Sequence, residues 1–361
     1  MPTLILFRLR IGRALAFFAA FVFTLSVALS FALVLSGCPL EEQSSGDADG
    51  VESLSKGTGP GPESISVMTW NTQTFFDAEK AGSEFEEFTD SKSKWSPERY
   101  GIRLDRLCET LLAAGRIADE GPDLGADIVV LEEIENTRVI EDLCNRLPQR
   151  NRYLNVAFVP PEAGGAFASA VLSRYPIRSV TAHSVASAGI KLRPLLEVTL
   201  DAEGRSVSVF AAHWKSKSGD GDTARIRRAQ ERVLASRIES LEAADPSVLY
   251  VACGDFNQGL EAFETLGKEK SDNPWPDWLA RCSSGQVSGP EGSYRFDGAW
   301  ERIDHFFFPA ERLCGYRVRD FQVMGSPPLT DENENPARYE VFSGRGYSDH
   351  LPLILVLAQM N

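Results

Sequence analysis

Val248-Leu249-Tyr250-Val251-Ala252-Cys253-Gly254-Asp255-Phe256-Asn257 starts as an unbroken apolar run, the pattern of a strand covered on both faces, and changes character at Gly254. If the backbone stays extended past the glycine, period-two alternation puts Asp255 and Asn257 on one side, so one spot receives an anionic acceptor and an amide. Far along the chain, Ser348-Asp349-His350-Leu351-Pro352 leads into a second apolar run, Leu353-Ile354-Leu355-Val356-Leu357. Asp349 and His350 are expected at the rim of a sheet. Adjacent side chains diverge there, letting the Asp face a metal and the His a substrate oxygen. Each string alone is commonplace.

Four more runs repeat the pattern. Ser66-Val67-Met68-Thr69-Trp70-Asn71 ends in an amide, and Asp127-Ile128-Val129-Val130-Leu131-Glu132-Glu133 ends in two carboxylates. Val207-Ser208-Val209-Phe210-Ala211-Ala212-His213 ends in an imidazole and runs on into Trp214-Lys215-Ser216-Lys217, while Ile303-Asp304-His305-Phe306-Phe307 carries its acid at the start. Asn, Glu, Asp and His gathered at strand ends are what a site built on one sheet edge requires.

The set and order of these motifs, from about Ser64 to the C-terminus, resembles the endonuclease/exonuclease/phosphatase superfamily, which includes pancreatic-type deoxyribonuclease, apurinic-site endonucleases, bacterial sphingomyelinases and inositol polyphosphate 5-phosphatases. The resemblance implies an α/β four-layer sandwich, two packed mixed β-sheets flanked by helices. Alternation of strand-like runs with helical stripes is compatible with it: Leu104, Leu107, Leu111 and Leu112 mark a helix from Glu98 to Arg116, and Ile226, Val233, Leu234, Ile238 and Leu241 one from Thr223 to Glu242.

Carried over residue by residue, the resemblance implies that Asn71 and Glu133 lie on the metal side and that Asp255 and Asn257 orient the attacking water. It makes His350 the phosphate-contacting imidazole, Asp304 its carboxylate partner, Asp349 a further metal-site carboxylate and His213 the second histidine of deoxyribonuclease-like members. Leu131 to Asn136, His213 to Lys217 and Arg228-Ala229-Gln230 are similar to segments of secreted bacterial nucleases. Asn71 through Phe75-Phe76-Asp77 to Trp95 and Arg99-Tyr100 resembles a bacterial subgroup that tends to repeat an Asn three residues after the first; here that place is Thr74.

The chemistry fits these residue types. Phosphate-ester hydrolysis needs accelerations approaching ~10²¹ in extreme cases, and a divalent ion supplies electrostatic stabilisation of the charge that grows on the phosphoryl oxygens and leaving group. Glu133, Asn71 and Asp349 are hard oxygen ligands, suited to Mg²⁺ or Mn²⁺ rather than zinc. Asp255 accepts a proton from water that Asn257 orients, and His350, held by Asp304 in one tautomer, supports positive charge beside the phosphate.

The N-terminus carries a different message. Arg8, Arg10 and Arg13 precede an uncharged apolar stretch ending in Leu35-Ser36-Gly37-Cys38, the pattern of a bacterial lipoprotein signal with Cys38 acylated after cleavage. An uncleaved membrane anchor is the rival. The expected organisation is a signal over 1–38, a Ser/Gly/Asp/Glu/Pro-rich linker over 39–63 with a reach of about 25–30 Å, and one catalytic domain over 64–361. Export to the periplasmic or outer face, tethered to a membrane, follows. Beyond Cys38, five cysteines remain, an odd number; Cys108 with Cys144, or Cys282 with Cys314, are conceivable pairs, and Cys253 reads as core.

Charge narrows the substrate. With 37 basic against 51 acidic side chains the chain carries −14, and Arg8, Arg10 and Arg13 fall in the leader, so the remainder is more acidic still. Strong non-specific affinity for a polyanion does not follow from that total. A local basic strip can still serve a nuclease, and Lys215, Lys217, Arg174 and Arg228 are its candidates, with Arg193, Arg225 and Arg227 nearby in sequence. Gly219-Asp220-Gly221-Asp222 offers a structural Ca²⁺ loop, although a turn is the simpler reading. The expectation is a metal-dependent nuclease acting on DNA or RNA. A phosphoesterase for lipid head groups or for inositol or sugar phosphates is the alternative, and a non-catalytic surface lipoprotein comes last. Nothing points to a protein partner.

Overall fold

Each of the six apolar runs forms a strand in the computed structural model, which describes residues 5–8, 33–34, 59, 61–117, 124–161, 165–187, 190–219, 222–264, 266, 290–309 and 315–360. In chain order the strands are β1 (Ile5–Arg8), β2 (Leu33–Val34), β3 (Ser64–Phe75), β4 (Ile128–Ile134), β5 (Asn155–Phe158), β6 (Ala168–Ser173), β7 (Ile177–Ser187) and β8 (Ile190–Ala202). They continue with β9 (Arg205–His213), β10 (Leu249–Asp255), β11 (Tyr294–Phe296), β12 (Ala299–Glu301), β13 (Asp304–Phe307), β14 (Tyr316–Val323) and β15 (Leu353–Gln359). The helices are α1 (Glu86–Thr89), α2 (Pro97–Ile117), α3 (Thr137–Arg146) and α4 (Thr223–Ala244).

One sheet runs β14-β15-β3-β4-β6-β5-β1-β2 and the other β13-β10-β9-β8-β7, with β11 and β12 a separate hairpin. Both are mixed: β3 is parallel to β4 and antiparallel to β15, and β10 is parallel to β9 and antiparallel to β13. This topology explains why some motifs follow their strands and others precede them. At one end of the molecule the C-terminal ends of β3, β4, β9 and β10 meet the N-terminal ends of β13 and β15, so Asp255 lies level with both His213 and Asp304.

Between the sheets, Ile65, Val67, Val130, Val207, Val209 and Val251 belong to one buried cluster. Helix α2 lies on β3, where the Tyr100 and Phe75 rings meet edge to face at 6.4 Å, and its Leu104, Leu107 and Leu111 are buried as the stripe predicts. Helix α4 packs on β7 and β8 and buries Leu234 and Ile238 with Phe210, Tyr250 and Ala252. Helices, sheet, sheet and helix make the expected four-layer sandwich. The helix starts have local causes: the Asn136 side chain accepts from the Val139 N–H at 3.1 Å, and Asp222 from the Arg225 N–H at 2.9 Å. Asp222 is therefore a helix cap, and its neighbours Asp220 and Gly221 lie outside the described residues.

Cys38, and most of the stretches 1–38 and 39–63, also lie outside the described residues, as do Cys282 and Cys314. Among the described residues no helix is long and apolar enough to cross a membrane. Cys108 and Cys144 are buried free thiols rather than a disulfide, like Cys253.

Candidate active site

Gly254 is the first requirement of the site. Its φ is +135°, and a Cβ there would lie 1.9 Å from the Ala212 carbonyl oxygen, so only glycine lets β10 approach β9 closely enough to bring Asp255 beside His213. Beyond it, Phe256 is fully buried against Trp214, Phe263 and Phe307, with ring centroids 4.8, 5.7 and 4.9 Å away. That anchor fixes the two polar residues flanking it. Asp255 and Asn257 do share one spot, but through a turn instead of the expected extended chain. Asn257 sits at φ +53°, a region Asn tolerates, and donates to Asp255 twice, from its backbone N–H at 2.8 Å and from Nδ2 at 2.9 Å.

Asn71 reaches Asp255 from the other sheet, its Nδ2 donating to Oδ2 at 3.1 Å and lying 3.4 Å from Glu133 Oε1. In register Asn71 pairs with Glu132, so those two share a face, and on a regular strand Glu133 would turn away from them. A φ of +62° at Glu133 breaks the alternation and brings its carboxylate round. Glu133 Oε1 then lies 3.7 Å from His213 Nε2, and Oε2 accepts from the Thr74 N–H at 2.5 Å.

His350 completes the group. Its Nδ1 is 2.9 Å from Asp304 Oδ2, which also accepts from the Ser293 hydroxyl at 2.5 Å, and its Nε2 points to Asp255 Oδ2 at 3.9 Å. Burial works against a charge on the imidazole, but the Asp304 and Asp255 carboxylates outweigh it and hold the pKa well above the usual histidine value. Burial pushes Asp255 up to about 7, with Asp304 adding to the shift and His350, the Asn257 N–H and the Asn71 amide opposing it. His213 behaves differently. Its Nδ1 has no hydrogen-bond partner among the described residues, and burial, Arg193 and His350 hold its pKa well below the usual range, so it is a neutral imidazole at pH 7.

Asp349 enters the site by its backbone: its N–H donates to Gln73 Oε1 at 3.0 Å, next to the Asn71 turn. Its carboxylate, partly exposed, takes no hydrogen bond among the described residues. Ser348 ties the same segment down, donating to the Asn71 carbonyl at 2.7 Å and accepting from the His350 N–H at 3.1 Å.

The carboxylates of Glu133, Asp255, Asp304 and Asp349 gather at this edge, and that of Asp349 takes no hydrogen bond among the described residues, so a hard divalent cation fits the donor set. Holding it through Asn71 would use Oδ1, which here accepts from the Gln73 N–H at 3.0 Å. Ligand atoms of Asp255, Asp304 and His350 also fall within 4.8 Å of one another. Asp304 is committed to His350 and Ser293 by hydrogen bonds and Asp255 to two amides, while His350 and Asp255 face each other as an ion pair at 3.9 Å.

The basic candidates fare unevenly. Arg174 follows β6 at its Ser173 end, level with Ile128 at the start of β4, so it lies at the opposite end of the sheet from Glu133. There it flanks a surface recess with Asp127, Asp201 and Glu203; antiparallel pairing, invisible in the sequence run, puts it there. Lys217 pairs with Glu301 at 2.7 Å, Arg228 with Glu264 at 3.6 Å and Asp222 at 3.9 Å, and Lys215 Nζ donates to the Ser218 carbonyl at 2.8 Å. Arg227 is buried against Gln258 and the Lys215 carbonyl, and Arg193 donates to the His213 and Trp214 carbonyls at 3.2 Å, so both build the site wall. Gln73, Arg103, Ser293 and Tyr294 also belong to the site, although none lies in the strand-end strings, and the Tyr294 ring lies 4.7 Å from that of His350. Only Ser293-Tyr294, close before Asp304, left a local trace.

Residues 66–359 match the model of the endonuclease/exonuclease/phosphatase family. The chain belongs to that family. Solved structures with the same fold include TDP2 from Caenorhabditis elegans, 16% identical over 82% of this chain and 74% of that one with a TM-score of 0.51. The human Nocturnin catalytic domain is 19% identical over 82% and 95% of the two chains, TM-score 0.52. A mannosyl-6-phosphatase from Bacteroides thetaiotaomicron is 15% identical over 81% and 99%, TM-score 0.52. No curated protein matches the sequence. As a member of the family the chain is a hydrolase of phosphoester bonds.

For such a hydrolase the linked titrations make a prediction about pH. If Asp255 accepts the proton of the attacking water it must be ionised, so activity should rise with pH through a limb at or below about 7, and if His350 acts as an imidazolium an alkaline limb follows. The two groups titrate as a pair. Asp304→Asn removes the charge that supports the imidazolium, so the alkaline limb should move to lower pH. A pH–rate profile of the variant checks this, and an unmoved alkaline limb would exclude His350 as the group responsible.

Proposed function

We propose that this hydrolase is a divalent-metal-dependent nuclease cleaving phosphodiester bonds of DNA or RNA. The observation that carries it is the convergence on Asp255 of Asn71, Asn257, His213 and His350, with Glu133 and Asp304 immediately behind. Glu133 and Asp349, with Asn71, would hold a divalent ion, which would supply Lewis-acid stabilisation of charge on the phosphate. Asp255, anchored by two amides, takes a proton from the attacking water, and Asn257 aims that water. His350 carries positive charge to the phosphate with Asp304 fixing Nδ1 as donor, and neutral His213 offers Nε2 as a hydrogen-bond partner rather than a charge. The chain is exported and tethered through Cys38 in the same proposal; mass spectrometry of the mature N-terminus finding residues before Cys38, or no acyl chain, would refute the tether.

A second reading has its own support. Glu301, Glu264 and Asp222 already engage Lys217 and Arg228, which leaves less free positive charge for a polyanion and favours a small phosphate ester or lipid head group. Lys217→Glu with Arg228→Glu separates the two. If these side chains track a nucleic-acid backbone, cleavage of plasmid DNA or RNA falls and the log–log salt slope flattens by about 0.7–0.9 per lost contact, while a minimal phosphodiester is hydrolysed as before. Equal loss on both substrates would assign the two residues to the fold. Hydrolysis of sphingomyelin or an inositol phosphate, with nucleic acid left intact, would replace the nuclease reading.

A further inference from the structure

Strand β3 does not end cleanly at Asn71. Its pairing with β4 jumps from Asn71 to Phe75, and the residues between them form a turn in which Gln73 and Thr74 have φ of +54° and +48°. For a β-branched Thr that is a strained conformation. The turn has a consequence at the site: Thr74 presents its N–H to Glu133, itself at positive φ, and the Gln73 N–H fixes Asn71 Oδ1. Its cost is three consecutive carbonyls, of Thr72, Gln73 and Thr74, in the gap in the β3–β4 pairing. One side chain donates to all three, the Thr74 carbonyl also accepting from the Phe76 N–H at 2.9 Å. Arg103 of α2, 2% exposed, donates Nη1 to the Thr74 carbonyl at 2.9 Å and Nη2 to the carbonyls of Thr72, at 2.9 Å, and Gln73. Its guanidinium carbon lies over the rings of Phe75 and Tyr339, 4.4 and 4.0 Å from their centroids. From the far side, the Gln73 side chain holds the turn to Tyr339, donating to its carbonyl at 3.0 Å and accepting from its N–H at 2.9 Å, and accepts from the Asp349 N–H.

We propose that Arg103 is a positioning residue for the metal site: it holds a left-handed turn that the local sequence does not favour, so that Glu133, Asn71 and Asp349 stand in place before any ion arrives. A planar fork with several donors is needed, and lysine cannot reproduce it. The inference rests on the reading that Glu133, Asn71 and Asp349 hold the cation, and it makes no claim about the substrate.

The test measures Mg²⁺ binding by calorimetry on the full chain, apart from turnover. Arg103→Lys should weaken Mg²⁺ binding about 10–100-fold, the loss typical when a residue behind a metal ligand is changed. Arg103→Lys with Thr74→Gly should recover part of it, because glycine adopts positive φ without strain and needs no clamp. A merely structural arginine would lower the melting temperature and leave Mg²⁺ affinity unchanged, and that result overturns the proposal. So does a double variant that melts higher than Arg103→Lys but binds no better. The wild type gives an independent arm that survives failure of the variants to fold. The Thr74 amide should be protected from hydrogen exchange equally with chelator and with Mg²⁺; protection appearing only with the ion would mean that the ion, not Arg103, forms the turn. If the wild type binds no Mg²⁺ in calorimetry while Glu133→Gln hydrolyses normally, the metal reading itself fails, which is distinguishable from failure of the clamp.

Discussion

Replacing His350 by alanine should lower kcat by about 10²–10⁴-fold, the range for a positioned proton-transfer group, with the fold intact. The imidazole is nearly enclosed, tied at Nδ1 to Asp304 and facing Asp255 with Nε2. Its charge is stabilised only because two buried carboxylates flank it. Removing it leaves Asp304 with only the Ser293 hydroxyl among the described residues and takes the cation from beside the phosphate. The Trp70 indole N–H donates to the His350 backbone carbonyl at 2.9 Å, a bond that survives the substitution, so the segment should stay in place. Steady-state kinetics with circular dichroism as a control for folding decides it. A variant within threefold of wild type would remove His350 from the chemistry.

Glu133→Gln should be nearly as damaging, and chelation more so. The substitution keeps shape and can keep the contact with the Thr74 N–H, but removes an anionic charge beside Asn71 and His213. If the cation is held there, activity at fixed Mg²⁺ should drop at least ~10²-fold, comparable to losing one preorganised electrostatic group, and the Mg²⁺ concentration for half-activation should rise. Chelator should abolish hydrolysis by the wild type, and Mg²⁺ or Mn²⁺ should restore it. Full activity in chelator would rule out a metal-dependent step.

Much of this was legible in the chain because it is written locally. A β-strand's apolar character and the polar residue at its end are properties of a few consecutive side chains, so all six strands and the polar residues at their ends could be read from short strings, whereas the choice of Glu133 over Glu132 came from the family resemblance. The α2 and α4 stripes follow from period 3.6 in the same way, and both helices formed within two residues of their expected ends.

What depends on long-range pairing could not be read so directly. Arg174 sits beside a strand run just as Lys215 does, yet antiparallel register sends it to the far end of the sheet. The partners that neutralise Lys217 and Arg228 are up to 84 residues away in sequence. Glu132 and Glu133 look interchangeable in a string, and only the positive φ at Glu133 decides which carboxylate meets Asn71 and His213; Glu132 is instead buried, its Oε1 accepting from the Thr69 hydroxyl at 3.0 Å. Arg103 reads in the sequence as one more charge on an amphipathic helix. Its role exists only because α2 crosses the end of β3, where three carbonyls face a buried space and a planar cation is the side chain that can donate to them all. The residue types that do chemistry are fixed by the sequence, whereas the angles at which they meet belong to backbone conformations and pairings that close only when both sheets are assembled.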